Sequence, residues 1–152
     1  MHGLTTQISE LQHQTDELLC LGVDGSPVYT DVFSRLNTEV LQHSEALFPL
    51  KGETPEEEAR LCSALLAGYH ATIYNHGDKE EKIQFLLNRA WKVLDVLPAS
   101  AVKCELLIYC YEEVFEDELL KEAKEMIDGW SGRKLSEEEQ KVIEIYREAE
   151  ES

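Results

Sequence analysis

The most constraining feature of this sequence is the spacing of its apolar residues, which recur three or four positions apart along almost the whole chain. This spacing places them on one face of an α-helix, because an α-helix completes a turn every ~3.6 residues. No stretch alternates apolar and polar residues over a length that would support a β-strand. The sequence therefore predicts an all-α protein.

Turn and capping signals divide this pattern into about seven helices. The clearest start is Thr54, which is followed by Pro55 and Glu57 and so forms a capping box with proline at the first helical position. We expect the helix that begins there to continue through Tyr74. The other boundaries follow from residues typical of turns and caps, namely Gly25, Pro27, Pro49, Gly52, Gly77, Asp78, Pro98, Ser100, Asp117 and Ser136.

The connections between the third and fourth helices and between the fifth and sixth are short. Short connections force neighbouring helices to run antiparallel, so we expect αα-hairpins. Residues 69–98 are loosely similar to a tetratricopeptide unit, which leaves both an irregular bundle and a tetratricopeptide-like stack open. We expect residues 1–152 to form a single helical domain, with 149–152 as a frayed acidic tail.

Composition excludes several classes of protein. The chain carries 31 acidic and 14 basic residues, a formal net charge of −17, and such a surface repels nucleic acid. Its longest apolar run has six residues, whereas a membrane span needs roughly 20. The first residues show neither the basic nor the apolar region of a secretory signal. We therefore expect a cytoplasmic protein that binds neither nucleic acid directly nor membranes.

The residues that usually perform catalysis or bind metals do not form recognisable motifs. The four cysteines contain no C-x-x-C pair, so we expect reduced thiols that pack as small hydrophobic side chains. The histidines belong to no H-E-x-x-H motif, and neither a G-x-S-x-G motif nor a glycine-rich phosphate loop occurs. The glutamate runs at 56–58 and 137–139 suit the positive ends of helices. The sequence thus predicts no enzyme, metal or cofactor.

Charge placement gives the first candidate binding surface. Residues 112–152 contain 15 acidic and six basic residues, and an acidic surface accelerates the encounter with a basic partner. The alternative is a solvated face that only keeps the protein soluble. The candidate partner-binding residues in this segment are Glu113, Glu116, Asp117 and Glu118.

Tyrosines at helical spacing give a rival surface, made of Tyr69, Tyr74 and Tyr111 with Asp78 and Lys79 at its edge. Aromatic residues are enriched in interface hot spots, but tyrosines at this spacing also occur at the edge of a core.

Four basic residues follow one flank of the helix that Asp78 opens. In so acidic a chain we expect them to pair with carboxylates, and a phosphate site is the weaker alternative. These residues are Lys79, Lys82, Arg89 and Lys92.

Several blocks of the sequence together resemble the UpxZ family. The central blocks are Thr54-Pro-Glu-Glu-Glu-Ala59, Leu61-Cys62, Leu65-Leu66-Ala-Gly-Tyr69, Ala71-Thr-Ile-Tyr74 and Gly77-Asp-Lys-Glu80. The later blocks are Trp91-Lys-Val-Leu-Asp95, Leu97-Pro-Ala-Ser100 and Tyr109-Cys-Tyr111. The chain departs from the family at Glu112, where a glycine is expected.

The resemblance implies a small regulator encoded in the capsular polysaccharide operons of gut commensal bacteria. Members of the family act in trans as antagonists of UpxY, a NusG-like factor that lets RNA polymerase read through the untranslated leader of its own operon. The implied partner is a UpxY-type antitermination factor, chiefly a non-cognate one, and the family is not known for catalytic residues. The alternative is a helical adaptor or scaffold with no role in transcription. Whether the protein is a monomer or a dimer is left open.

Overall fold

The chain folds into seven α-helices over the described residues 3–73 and 77–151 of the computed structural model, and these residues contain no strand. The all-α prediction is therefore confirmed. None of the helices in this part of the chain has the length and apolar character needed to cross a membrane. The helices are α1 (Leu4–Leu19), α2 (Thr30–Leu47), α3 (Pro55–Ala71), α4 (Lys79–Leu94), α5 (Ala101–Val114), α6 (Asp117–Asp128) and α7 (Glu137–Glu151).

Capping residues set the starts of α3 and α7. At α3, the hydroxyl of Thr54 accepts a hydrogen bond from the backbone N–H of Glu57 at 3.1 Å. At α7, the hydroxyl of Ser136 accepts from the N–H of Glu139, and the Glu139 carboxylate accepts from the N–H of Ser136 at 2.9 Å. These bonds satisfy backbone donors that the first turn of a helix leaves without intrahelical partners. Both starts agree with the prediction.

The helices form three stacked hairpins followed by a single helix. The hairpins pair α1 with α2, α3 with α4 and α5 with α6, and each odd-numbered helix also packs on the next one. Within the described residues the backbones of the even-numbered helices do not pack on one another, so most of the packing runs between consecutive hairpins. Side-chain ion pairs add longer links, such as the one between Lys82 of α4 and Glu45 of α2. Packing between consecutive hairpins is typical of helical repeats. Of the two predicted architectures, the structure favours the stack of hairpins over the irregular bundle.

The centre of the core consists of α3 and α5, because each is covered by helices on several sides. Buried residues number nine in α3 and seven in α5. Three of these buried residues are cysteines, namely Cys62, Cys104 and Cys110. Burial raises the pKa of each thiol to about 12. The prediction that all four cysteines pack as small hydrophobic side chains is wrong for Cys20, because this residue is exposed at the end of α1.

The end of α3 differs from the prediction of a helix through Tyr74. The helix ends at Ala71, and Thr72 is already extended, with φ −93° and ψ 148°. The Asn37 side chain of α2 then accepts a hydrogen bond from the N–H of Ile73 at 2.8 Å and donates to its carbonyl oxygen at 3.1 Å. These two bonds satisfy the Ile73 backbone outside a helix, which local helix propensity does not reveal.

The C-terminal helix extends further than predicted. It continues to Glu151, and Ala149 is only 1% exposed. The described residues 149–151 are therefore helical rather than frayed, because burial of Ala149 holds the last turn against the rest of the protein. Residue 152 lies outside the described residues.

Candidate partner-binding surface

Acidic residues from the predicted surface lie at the corner where α5 turns into α6. Residues 115 and 116 connect the two helices, and Phe115 adopts the left-handed region, with φ 54° and ψ 33°. Its ring is 66% exposed. Glu116 precedes the first turn of α6, which contains Asp117 and Glu118, and all three side chains are exposed. They interact favourably with the positive end of the helix and are also accessible to a partner.

Glu113 lies at the same corner and forms a contact with α3. Its carboxylate accepts a hydrogen bond from Nδ1 of His70 at 2.9 Å, and Oε2 of Glu112 lies 3.8 Å from Nε2 of the same ring. The hydrogen bond to Glu113 raises the pKa of His70, although partial burial of the ring opposes the rise. Because Glu113 of α5 lies 43 positions from His70, no local sequence pattern predicts this contact.

Two histidines should titrate on opposite sides of the ordinary value of 6.5. We expect the pKa of His70 above it, because of Glu113, and the pKa of His43 below it, because burial disfavours the charged ring. A pKa that is raised by folding adds stability that is complete below pH 6.5 and is lost as the pH rises through the folded value. NMR titration of the imidazole resonances measures both pKa values, and the variant His70→Asn identifies the resonances of His70 by their loss. A pKa of His70 below that of His43 would contradict the structure.

The predicted tyrosine surface is only partly a surface. Tyr69 is 0% exposed, and its ring packs edge-on against Phe48 with the centroids 6.1 Å apart. The prediction that it contacts a partner is therefore wrong, because its side chain belongs to the core. Tyr111 is half-buried and packs against the exposed ring of Phe115 at 5.8 Å. Tyr74 lies outside the described residues.

The two remaining candidates lie at the start of α4. The ammonium group of Lys79 donates a hydrogen bond to the carbonyl oxygen of Thr72 at 2.9 Å, and the carboxylate of Asp78 lies 3.9 Å from the ammonium of Lys82. The charge of Lys79 also acts on His70. The start of α4 is therefore at the same end of the stack as the acidic corner, so the structure brings the two predicted groups of residues close together.

Two of the other three basic residues of α4, Lys82 and Arg89, pair with carboxylates inside the chain. Lys82 binds Glu45 of α2, and Arg89 forms two hydrogen bonds to Glu58 of α3, at 2.9 and 2.8 Å. For these two residues, pairing with carboxylates is confirmed in preference to a phosphate site.

A groove that no sequence pattern predicts runs along the odd-numbered helices. It has a volume of about 630 Å³ and is lined by residues from α1, α3, α5 and α7. Ser63, Ala64 and Ala67 of α3 lie along its floor. We call it the inner groove, and its carboxylates are Asp16, Glu112, Glu113, Glu144 and Glu148. Across the described residues, no group of three or more possible ligands is placed to hold a metal ion.

Comparison with known proteins identifies the family to which this chain belongs. The sequence model of the UpxZ family of transcription anti-terminator antagonists matches residues 8–112. The chain belongs to the UpxZ family. This confirms the resemblance that the sequence blocks indicated, and it shows that the protein comes from a family of regulators. The UpxZ match ends before α6, so the acidic residues of α6 and α7 lie outside the matched segment.

A solved UpxZ structure extends the similarity to the whole chain. It is the crystal structure of a transcription anti-terminator antagonist UpxZ from Bacteroides uniformis, which is 41% identical in sequence. The similarity covers 99% of this chain and 94% of that chain, with a TM-score of 0.85. No curated protein matches the sequence. The UpxZ fold thus includes α6 and α7 as well as the helices in the matched segment.

Proposed function

We propose that this protein inhibits a NusG-like antitermination factor of the UpxY type by binding to it directly, and that it acts in trans at capsular polysaccharide loci other than its own. The observation that carries the proposal is the match to a family of transcription anti-terminator antagonists. An antagonist can act on the factor or on its nucleic acid. The net charge of −17 favours a protein target, because an acidic protein repels nucleic acid and attracts a basic protein surface.

The surface that best fits such a partner is the acidic corner, which we define as Glu113, Glu116, Asp117 and Glu118 together with Phe115. Three of its carboxylates are exposed, and the Phe115 ring offers apolar area beside them. Charged residues around an aromatic side chain are a common composition for an interface, in which the ring supplies affinity and the charges supply steering. Tyr111, Asp78 and Lys79 lie at the edge of this surface. The site is therefore a proposed contact for a basic face of the factor.

Binding between the two purified proteins tests the proposal. We expect a complex with non-cognate UpxY-type factors whose affinity falls several-fold between about 50 and about 300 mM NaCl, because exposed charge contacts are screened within ~10 Å at 0.1 M salt. The double variant Asp117→Asn/Glu118→Gln should weaken the complex. Its matched control is Glu10→Gln/Glu17→Gln, which neutralises two exposed carboxylates of α1 instead. Affinity that ignores salt, or that falls equally in both variants, would count against the acidic corner.

The stack of hairpins favours one second candidate, a helical adaptor or scaffold, because such stacks commonly present extended binding surfaces. An adaptor would bind other proteins but leave antitermination unchanged. Co-purification with cognate and non-cognate factors separates the two functions, since only the antagonist requires a NusG-like partner.

A further inference from the structure

We propose that the inner groove is the docking site for a basic, amphipathic segment of the antitermination factor. This inference rests on the proposed function and deepens it, since it names a second contact beside the acidic corner. It also names the chemistry of the bound segment, which carries positive charges along one side and apolar side chains along the other.

The charge of the groove is the first observation. Five carboxylates line it, and the lysine among its lining residues is Lys141, which reaches from α7 to within 3.8 Å of Asp16 on α1. Glu144 and Glu148 lie one turn apart on α7, and within the described residues neither forms an ion pair. These unneutralised charges repel one another, and a cationic segment would relieve the repulsion.

The pKa of Glu112 shows the same crowding at the other wall. Burial raises it, and the negative charges of Glu113 and Glu148 raise it further, against the lowering effect of His70. Carboxylates of α5 and α7 therefore act on each other across the groove. An added positive charge between these two helices would lower the pKa of Glu112.

An unpaired hydroxyl in the floor is the second, independent observation. Ser63 is 0% exposed and lines the groove, and its hydroxyl has no hydrogen-bond partner among the described residues. A buried polar group without a partner costs free energy, so native proteins rarely keep one without a reason. The hydroxyl oxygen is covered in the unbound protein, so a polar group of a bound segment would supply the missing hydrogen bond only after the Ser63 side chain turns toward the groove.

Exposed apolar side chains at one end favour an occupant that is longer than a small molecule. Leu19 at the end of α1 is 57% exposed, and Val23 in the following loop is 77% exposed. Both line the groove, which places apolar area next to the carboxylates on one continuous surface. An amphipathic segment covers both kinds of area, and stacked helical repeats commonly bind partners along extended surfaces of this kind.

Charge reversal in the groove tests the docking site in full-length proteins. We expect Glu144→Lys/Glu148→Lys to weaken binding to a UpxY-type factor at least about tenfold, because charged contacts within an interface couple strongly. The matched control is Glu10→Lys/Glu17→Lys on the exposed face of α1, outside the groove, which changes the net charge equally. We expect that control to weaken binding less than about threefold, as long-range charge effects are screened. Circular dichroism checks that both variants are folded.

A second variant leaves the charge unchanged. Leu19→Ser/Val23→Ser removes exposed apolar side chains, and we expect it to weaken the complex several-fold without loss of folding, because neither side chain is buried. If the unsubstituted protein binds the factor and the groove variants bind it as tightly as the control variant does, the docking site is wrong and the proposed function still stands. No binding by the parent protein would overturn both.

Calorimetry with spermidine distinguishes a peptide site from a site for small cations. If the parent protein binds spermidine, the groove variant loses it, and both bind the factor equally, then the occupant is a small cation and the docking proposal is wrong. Spermidine that competes with the factor would support the shared groove.

Discussion

Replacing Arg89 with methionine lowers the free energy of unfolding by about 3–5 kcal/mol, the loss expected when one partner of a buried ion pair is removed. The Arg89 side chain is 9% exposed and binds both carboxylate oxygens of Glu58. It also donates to the carbonyl oxygens of Phe48 at 3.2 Å and Leu50 at 2.8 Å. These bonds join α4, α3 and the loop after α2. Without the guanidinium, a carboxylate and two carbonyl groups lose their charged donor in a largely buried place.

Two further variants separate burial from charge. Arg35→Met removes an exposed pair with Glu39, whose side chains are 61% and 41% exposed, and should cost less than about 1 kcal/mol. The double variant Arg89→Met/Glu58→Leu should be more stable than Arg89→Met alone, because no unpaired carboxylate is left. Urea denaturation measures all of them. Equal losses for Arg89→Met and Arg35→Met would contradict the buried ion pair.

Truncating Tyr69 to alanine should cost about 3–5 kcal/mol, as expected for removal of a large buried ring. The ring is 0% exposed, packs edge-on against Phe48, and lies 5.7 Å from the ammonium of Lys82. The variant leaves a cavity beside the C-terminal end of α3 and also removes these contacts. A loss of antagonist activity in Tyr69→Ala would therefore report unfolding rather than a missing partner contact.

Tyr29→Ala is the control for this prediction, because the Tyr29 ring is 64% exposed. It should change the free energy of unfolding by no more than about 0.5 kcal/mol. The midpoints and slopes of denaturant unfolding curves give the free energy of unfolding of both variants. If Tyr69→Ala unfolds at the same midpoint as Tyr29→Ala, the burial of Tyr69 is wrong and the tyrosine surface returns as a candidate interface.

Helix starts were predictable from the sequence because their causes are local. Thr54 and Ser136 bind backbone groups three positions away, so the residues that create the cap stand next to one another in the sequence. The end of α3 was not predictable in this way. It depends on Asn37, which lies 36 positions from the Ile73 backbone that it binds. Local patterns cannot report a contact that only the packing of α2 against α3 creates.

The candidate surfaces divide in the same manner. The acidic corner could be predicted because its carboxylates lie in the continuous segment 113–118. The inner groove could not, since four helices contribute to it and none of them carries a pattern of its own. Tyr69 was placed wrongly because α3 is buried on several sides, and helical spacing does not distinguish a core tyrosine from one at the edge.

A transcription assay with purified RNA polymerase, a UpxY-type factor and a template that carries an untranslated capsule leader tests the central claim most directly. We predict that this protein lowers the fraction of transcripts that read through the leader when the factor is present. Without the factor, it should leave that fraction unchanged. Read-through that stays constant at saturating protein, or that falls equally without the factor, would contradict antagonism through direct binding.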